Sequence, residues 1–352
     1  MKKLSVIFAI ILLFCLCGCQ SAGSSDTSSP QEGNWDRERY ESYFLAESDG
    51  VQIEENFVTF TDANGAEQKI AKGMQKVYNL YASFTTLWYE AGGQVAGCIG
   101  GDSAVEIYKE YIGRDITQDD SVTVLATNAS GKRWSVETII AGHPDLIICS
   151  TAMNGYATIA EPAQTAGIPV VAVDYDDFSD YLKWFKVFCH LTDNASLWES
   201  VALDALSQTL DVLERIPESE HPSYLSIFSG GTNLQGNLST TVIGGMANLL
   251  GARNILEEFS IGDATKVDVN LEFVYAAQPN VILVQCHNDV ADCKQMIVDA
   301  YGENPLWLAL QAVQTDKVFY LPKTLFHNKP NRRFADAYRI LAQILYPQVD
   351  FS

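Results

Sequence analysis

The cationic chemistry of this chain is concentrated near its C-terminal end. Between Lys317 and Arg339 lie Lys317, Lys323, Lys329, Arg332, Arg333 and Arg339 but a single acid, Asp336. The whole chain carries 23 basic residues against 44 acidic ones, a formal net charge of −21. A positive island in so acidic a protein is either a place to hold an anion or a solvated surface that balances the acids. His327 lies inside it and can ligate a metal, stack on a ligand or simply hydrogen-bond. The remaining imidazoles are His143, His190, His221 and His287. None has a ligand-pair spacing, and Cys286-His287 with Cys293 is too sparse for a zinc or manganese cage. There is no Gly-x-Ser-x-Gly elbow, no His-Glu-x-x-His helix and no carboxylate pair with an evident acid/base role. Gly100-Gly101 and Gly230-Gly231 lack a following Lys-Ser/Thr, so they read as turn glycines and not as phosphate loops. Binding without turnover is the expectation, with an extracytoplasmic enzyme as the rival class. The acidic balance argues against nucleic acid and anionic lipid headgroups as partners.

The N-terminus has its own chemistry. Lys2 and Lys3 precede an apolar run, 6–16, too short for a stable membrane span. The run closes on Leu16-Cys17-Gly18-Cys19 and the chain then turns polar. This resembles the lipobox of bacterial lipoproteins. The resemblance implies that residues 1–18 are a signal peptide and that Cys19 is diacylated and becomes the first mature residue; an ordinary secretory signal with incidental cysteines is the alternative. Residues 19–34, rich in Ser, Gly and Pro, read as a flexible tether. The expected location is the extracytoplasmic face of the bacterial membrane, with the lipid as the only membrane contact. Five cysteines remain: Cys98, Cys149, Cys189, Cys286 and Cys293. Cys98 and Cys149 end apolar strand-like runs, so inert buried thiols are expected there.

The elements that must position these groups alternate. Residues 76–80, 94–99, 122–125, 144–149 and 168–174 read as strands, with helices at 83–91, 136–142 and 157–166 between them. The second half repeats the plan: a strand at 224–228 broken at Ser229-Gly230-Gly231, a helix at 243–250, a helix-Pro-Asn-strand run from Glu272 to Val284, a strand at 317–321 and a last helix at 334–345. Between them, 194–216 reads as one helix roughly 30 Å long, with Asp193 or Asn194 to cap it. The expected fold is α/β: two Rossmann-like lobes with parallel sheets, 35–192 and 217–352, joined by one long rigid helix, 193–216, with a ligand cleft between them.

Several words in this order strengthen that expectation. They are Val136-Glu137-Thr138-Ile139-Ile140 with His143-Pro144-Asp145-Leu146-Ile147-Ile148, Ala166-Gly167-Ile168-Pro169-Val170-Val171, Leu250-Gly251-Ala252-Arg253-Asn254-Ile255, Asn280-Val281-Ile282-Leu283-Val284, and Asn304-Pro305-Leu306-Trp307 with Ala312-Val313 and Val318-Phe319-Tyr320. Together they resemble the helical-backbone substrate-binding proteins of ABC importers, over about residues 70 to 347. Where that family often has Thr-Glu in its first helix, this chain has Thr85-Thr86. The resemblance implies a receptor, expected as a monomer, that delivers a metal chelate to an ABC transporter permease. A ferric siderophore comes first; heme, cobalamin or another corrinoid is the alternative. No cofactor is expected, since the chelate is cargo. Loops at the carboxyl ends of the strands place Ser83, Asp102, Asn128, Ser150, Tyr175, Ser229, His287 and His327 at the cleft. The resemblance adds Arg332, whose guanidinium fork suits carboxylate, hydroxamate or catecholate oxygens. Glu137 and Glu272 open matching helices in the two halves. Each is a helix-start acid by local chemistry; the resemblance implies that they dock onto permease arginines.

Overall fold

The computed structural model describes residues 35–127, 134–151, 155–230, 233–260, 262 and 264–352. Two α/β lobes hold the described chain. The first is built on a five-stranded sheet in the order Thr123–Ala126, Gly97–Ile99, Val77–Asn79, Leu146–Ser150, Val170–Val173, parallel throughout. Leu146–Ser150 is buried at every position, as a strand covered by helices on both faces must be.

The second sheet keeps the parallel triplet but not the rest. Ser223–Gly230 pairs in parallel with Val281–Cys286, which pairs in parallel with Val318–Leu321. On its other side it pairs antiparallel with Asn233–Asn237, which pairs antiparallel with Lys266–Val267. The strand therefore runs on through Ser229 and Gly230 where the sequence suggested a break. The glycine there opens a hairpin, not a βα loop. The hairpin's second strand pairs with Lys266–Val267, which puts Lys266 on the sheet's edge strand, a placement that matters below.

The connecting helix also differs in detail. Asp193 has a left-handed φ of 58°, and the helix begins only after it. It is π-type over Trp198–Leu203 and α-helical over Asp204–Leu213. It is not alone. Phe178–Leu191, closed by an Asp177/Asp180 capping box, buries ten of its fourteen residues. Arg37–Asp49 lies across both; Arg37 pairs with Asp211 and Glu214 on the connecting helix, each at 2.8 Å. The last helix, Phe334–Leu345, packs on Asp204–Leu213 from the other lobe. One apolar core runs from Val77 and Ile147 through Phe178, Phe185 and Leu210 to Leu341, Leu283 and Tyr224. Hinging the lobes far apart would expose part of this core, which costs about 25 cal/mol for each Å². A small three-stranded antiparallel sheet, Gln52–Ile53, Phe57–Thr61 and Glu67–Ala71, covers the first lobe.

Candidate functional site

The carboxyl ends of both sheets' central strands open toward the gap between the lobes, where ligands of such sheets lie. The second lobe supplies a compact set of groups there. His287 directly follows the strand Val281–Cys286, and His327 follows the short helix Lys323–Phe326. Their side chains meet: His287 Nδ1 is 2.9 Å from His327 Nε2, so one imidazole donates and the other accepts. His327 stacks on Phe228 with ring centroids 5.9 Å apart and planes 22° apart. On the same ring sits the Lys266 ammonium, 4.0 Å from the centroid. Lys323 begins the helix that ends at His327.

The electrostatics follow from this crowding. Burial lowers the His327 pKa to about 4, helped by His287, Lys323, Lys266 and Lys329. His287 is lowered by burial and then by Lys323 and Lys266. Both imidazoles are therefore neutral near pH 7. Lys266 is partly buried, and burial lowers its pKa as well. Among the described residues no carboxylate lies within ion-pair distance of it. A partly desolvated ammonium with no counterion, beside neutral imidazoles and an aromatic face, is chemically an anion receptor.

The rest of the positive island has other work. Its cations reach across to acids of the first lobe. Lys323 meets Glu106 at 2.7 Å, Arg333 meets Glu110 at 3.0 Å, Lys329 meets Asp176 at 3.2 Å, and Arg332 Nε lies 3.4 Å from Glu90 Oε1. Tyr111 adds a hydrogen bond to the Thr324 carbonyl, and Asn331 Nδ2 donates to Thr86 Oγ1 at 3.3 Å. The segment from Lys323 to Arg333 is thus a strap along the helices Ala82–Glu90 and Asp102–Tyr111. The Arg332 side chain is 65% exposed, so this one contact leaves most of its guanidinium open to solvent. Glu90 stands at the far end of the first helix, where burial raises its carboxyl pKa to about 7 against the pull of Arg332. Glu90 stands one turn beyond Thr86, so a glutamate absent at the expected point of the helix is present one turn later.

The other expected residues divide. Asp102 is exposed at the start of its helix. Ser83, in the first turn of the helix Ala82–Glu90, and Ser150, the last residue of its strand, are 6% and 1% exposed. Tyr175 lies in the apolar core. It is 1% exposed and packed against Phe84, Tyr181 and Phe334, and its hydroxyl accepts from the Asn331 backbone at 3.2 Å. Ser229 is likewise buried, and its hydroxyl donates to Met296 Sδ. Asn128 and Cys19 lie outside the described residues. Glu137 and Glu272 are exposed, each the second residue of its helix. Each helix leads into the strand beside its lobe's central one, so the repetition seen in the sequence is spatial. Sequence reasoning missed Phe228, Lys266 and Glu106. Lys266 had a faint signal: it is the only Lys or Arg between Arg253 and Lys294.

Comparison with known proteins settles the family. Residues 66–325, well over half of the chain, match the profile of the periplasmic binding proteins. The chain belongs to that family. Its members are extracytoplasmic receptors that pass small solutes to ABC importers. Across 322 residues this receptor is 22% identical to the Fe(3+)-citrate-binding protein YfmC of Bacillus subtilis (strain 168), covering 90% of this chain and 89% of that one. Its fold matches a periplasmic binding protein from Veillonella parvula DSM 2008 with a TM-score of 0.65 at 17% identity, covering 83% and 98% of the two chains. It also matches the catecholate-siderophore binding protein VctP of Vibrio cholerae, with a TM-score of 0.64 at 14% identity over 82% and 99%. Among the described residues no helix is long and apolar enough to cross a membrane.

Proposed function

We propose that this periplasmic binding protein captures an anionic, oxygen-rich ferric chelate, of the citrate or siderophore kind, and hands it to an ABC importer. The observation that carries the reading is Lys266: a partly buried ammonium over Phe228, beside the neutral His287–His327 pair, with no carboxylate partner among the described residues. Heme is a large apolar plane with only two propionates at its edge, and cyanocobalamin is neutral overall with uncharged amides, so both gain less from an unpaired cation than a compact polyanion does. The Fe(3+)-citrate-binding relative agrees in ligand chemistry. Cys19 holds the receptor to the membrane through its lipid, and Glu137 and Glu272 are the two contacts offered to the permease, one from each lobe. Binding rests on side chains already in place at the cluster. The test is calorimetry on the mature protein in detergent micelles with ferric citrate, iron-free citrate, hemin and cyanocobalamin. Saturable binding of ferric citrate alone supports the reading. A Soret band on titration with hemin, with no heat from ferric citrate, would replace it with a heme receptor. Release of a chemically altered product would turn the reading to an enzyme.

A further inference from the structure

We propose that Glu106 is an internal competitor for the ligand, an anion supplied by the first lobe that occupies Lys323 until a chelate oxygen takes its place. This rests on the reading of the Lys266–His287–His327 cluster as an anion receptor. Lys323 belongs to that cluster. It lies one helical turn before His327, whose backbone N–H donates to the Lys323 carbonyl at 2.9 Å. Its charge also acts on both imidazoles, lowering the pKa of each. Yet its ammonium is held at 2.7 Å by Glu106, from a helix more than two hundred residues earlier in the chain. Lys323 is mostly sheltered, with its side chain 22% exposed, whereas Glu106 is 51% exposed and free to swing into water. The asymmetry fits a displaceable partner: the cation is fixed at the site and the carboxylate can leave.

The same helix provides a control. Asp102, Glu106 and Glu110 follow one another at four-residue intervals and so line one face of Asp102–Tyr111. Glu110 makes the same kind of cross-lobe pair, with Arg333 at 3.0 Å. But Arg333 is not among the cations acting on His287 or His327. If the acids on this face only tied the lobes together, Glu106 and Glu110 would be interchangeable. If Glu106 competes for the ligand's cation, only Glu106 governs affinity, and only for anions.

The consequence is selection by charge. A ligand bearing carboxylates replaces Glu106 at Lys323 and recovers the contact it breaks. A neutral or cationic chelate has no oxyanion to set against Lys323 and leaves the pair closed. Glu106 therefore lowers affinity for anions, which must displace it, and leaves the affinity of other ligands unchanged.

Calorimetry on the full mature protein in detergent micelles tests this with ferric citrate as the anionic probe and a cationic ferric trihydroxamate as the other. Opening an ion pair as exposed as this one costs a ligand about 5-fold in affinity at most. Glu106→Gln should tighten ferric citrate binding about 3- to 5-fold, and Glu110→Gln should leave it within 2-fold. Glu106→Gln/Lys323→Met should bind more weakly than Glu106→Gln alone, because the freed cation is then gone. Glu106 is half-exposed, and Glu106→Ser should repeat the gain and exclude an effect peculiar to glutamine. Equal affinities for wild type, Glu106→Gln and Glu106→Ser would overturn the competitor while leaving the receptor reading intact. Equal gains from Glu106→Gln and Glu110→Gln would reduce both to lobe ties and overturn it as well. Failure of the wild type to bind ferric citrate would remove the anion site itself, and the competitor with it.

Discussion

Lys266 is the residue on which the ligand chemistry turns, and Lys266→Met is the perturbation that isolates it. Methionine keeps an unbranched stem over Phe228 and removes only the charge. Two opposing effects are expected. The ammonium is partly buried, and burial lowers its pKa, so the charge costs stability where it sits. Its contact with the Phe228 face, 4.0 Å from the centroid, returns about 0.5–1 kcal/mol. With no carboxylate beside it among the described residues, these terms nearly cancel, and the variant's Tm should stay the same or rise slightly. Binding should behave otherwise. A hydrogen bond from a charged donor to a ligand oxygen is worth about 1.5–3 kcal/mol, or roughly 10- to 150-fold in affinity. Calorimetry with ferric citrate reads that loss, and scanning calorimetry reads the Tm. Arg332→Ala is the matched control: it removes a cation of the same segment that pairs with Glu90, so its Tm should fall while its affinity stays within about 3-fold. Should Lys266→Met bind ferric citrate as tightly as the wild type, the unpaired ammonium is not part of the ligand site and the argument from it fails.

Three further outcomes follow from the same geometry. The Glu137→Ala/Glu272→Ala double variant should keep wild-type ligand affinity and Tm but lose ligand uptake in cells, more than either single change; full uptake by the double variant would leave these residues as helix-start acids only. Cys19→Ala should release the receptor into the medium or block its processing, read by membrane fractionation, since two acyl chains anchor stably where one does not. Stability should respond to pH in opposite senses at two buried groups. His327 has a folded pKa of about 4, below its unfolded 6.5, so stability falls as pH drops from 6.5 toward 4, by up to about 3 kcal/mol. Glu90 rises from 4.5 to about 7, so its protonated form stabilises below 4.5 and that contribution is lost as pH climbs to 7. Tm profiles of His327→Gln and Glu90→Gln should each lose one of these slopes.

Much of the scaffold was legible because buried parallel strands announce themselves. Leu146–Ser150 and Val281–Cys286 are continuous apolar runs, and nothing but a strand covered on both faces suits them at that length. The last helix, Phe334–Leu345, has a clean apolar stripe and falls where the periodicity puts it. Phe178–Leu191 was not read, although its four less buried residues, Asp180, Lys183, Lys186 and His190, recur every three or four positions along one face. The site was less legible because its chemistry is made of pairs distant in sequence. His287 and His327 are each unremarkable alone, and their 2.9 Å contact joins a strand end to a helix end forty residues later. The positive island was visible as charge but not as geometry. Its partners Glu90, Glu106, Glu110 and Asp176 belong to the other lobe, and composition cannot tell a cation that holds a ligand from one that holds a helix.

That distinction explains how so acidic a chain can receive an anion. At a net charge of −21 the receptor repels its cargo at a distance, yet at physiological salt the repulsion is screened beyond about 8 Å. Capture is therefore decided by the few groups within contact range. Of the cations in the strap, Arg333 and Lys329 pair with Glu110 and Asp176 across the lobes, and Arg332 has one contact, with Glu90. Lys266 has no such commitment among the described residues, and Lys323 has one that its half-exposed partner can surrender. The continuous apolar core behind the cleft limits how far the lobes can part. With the frame held that firmly, the inexpensive motion on ligand entry is the exchange of one carboxylate for another at Lys323. A rigid frame and a local exchange of partners are then two sides of one design: the core fixes where the cations stand, and Glu106 sets which anions take Lys323.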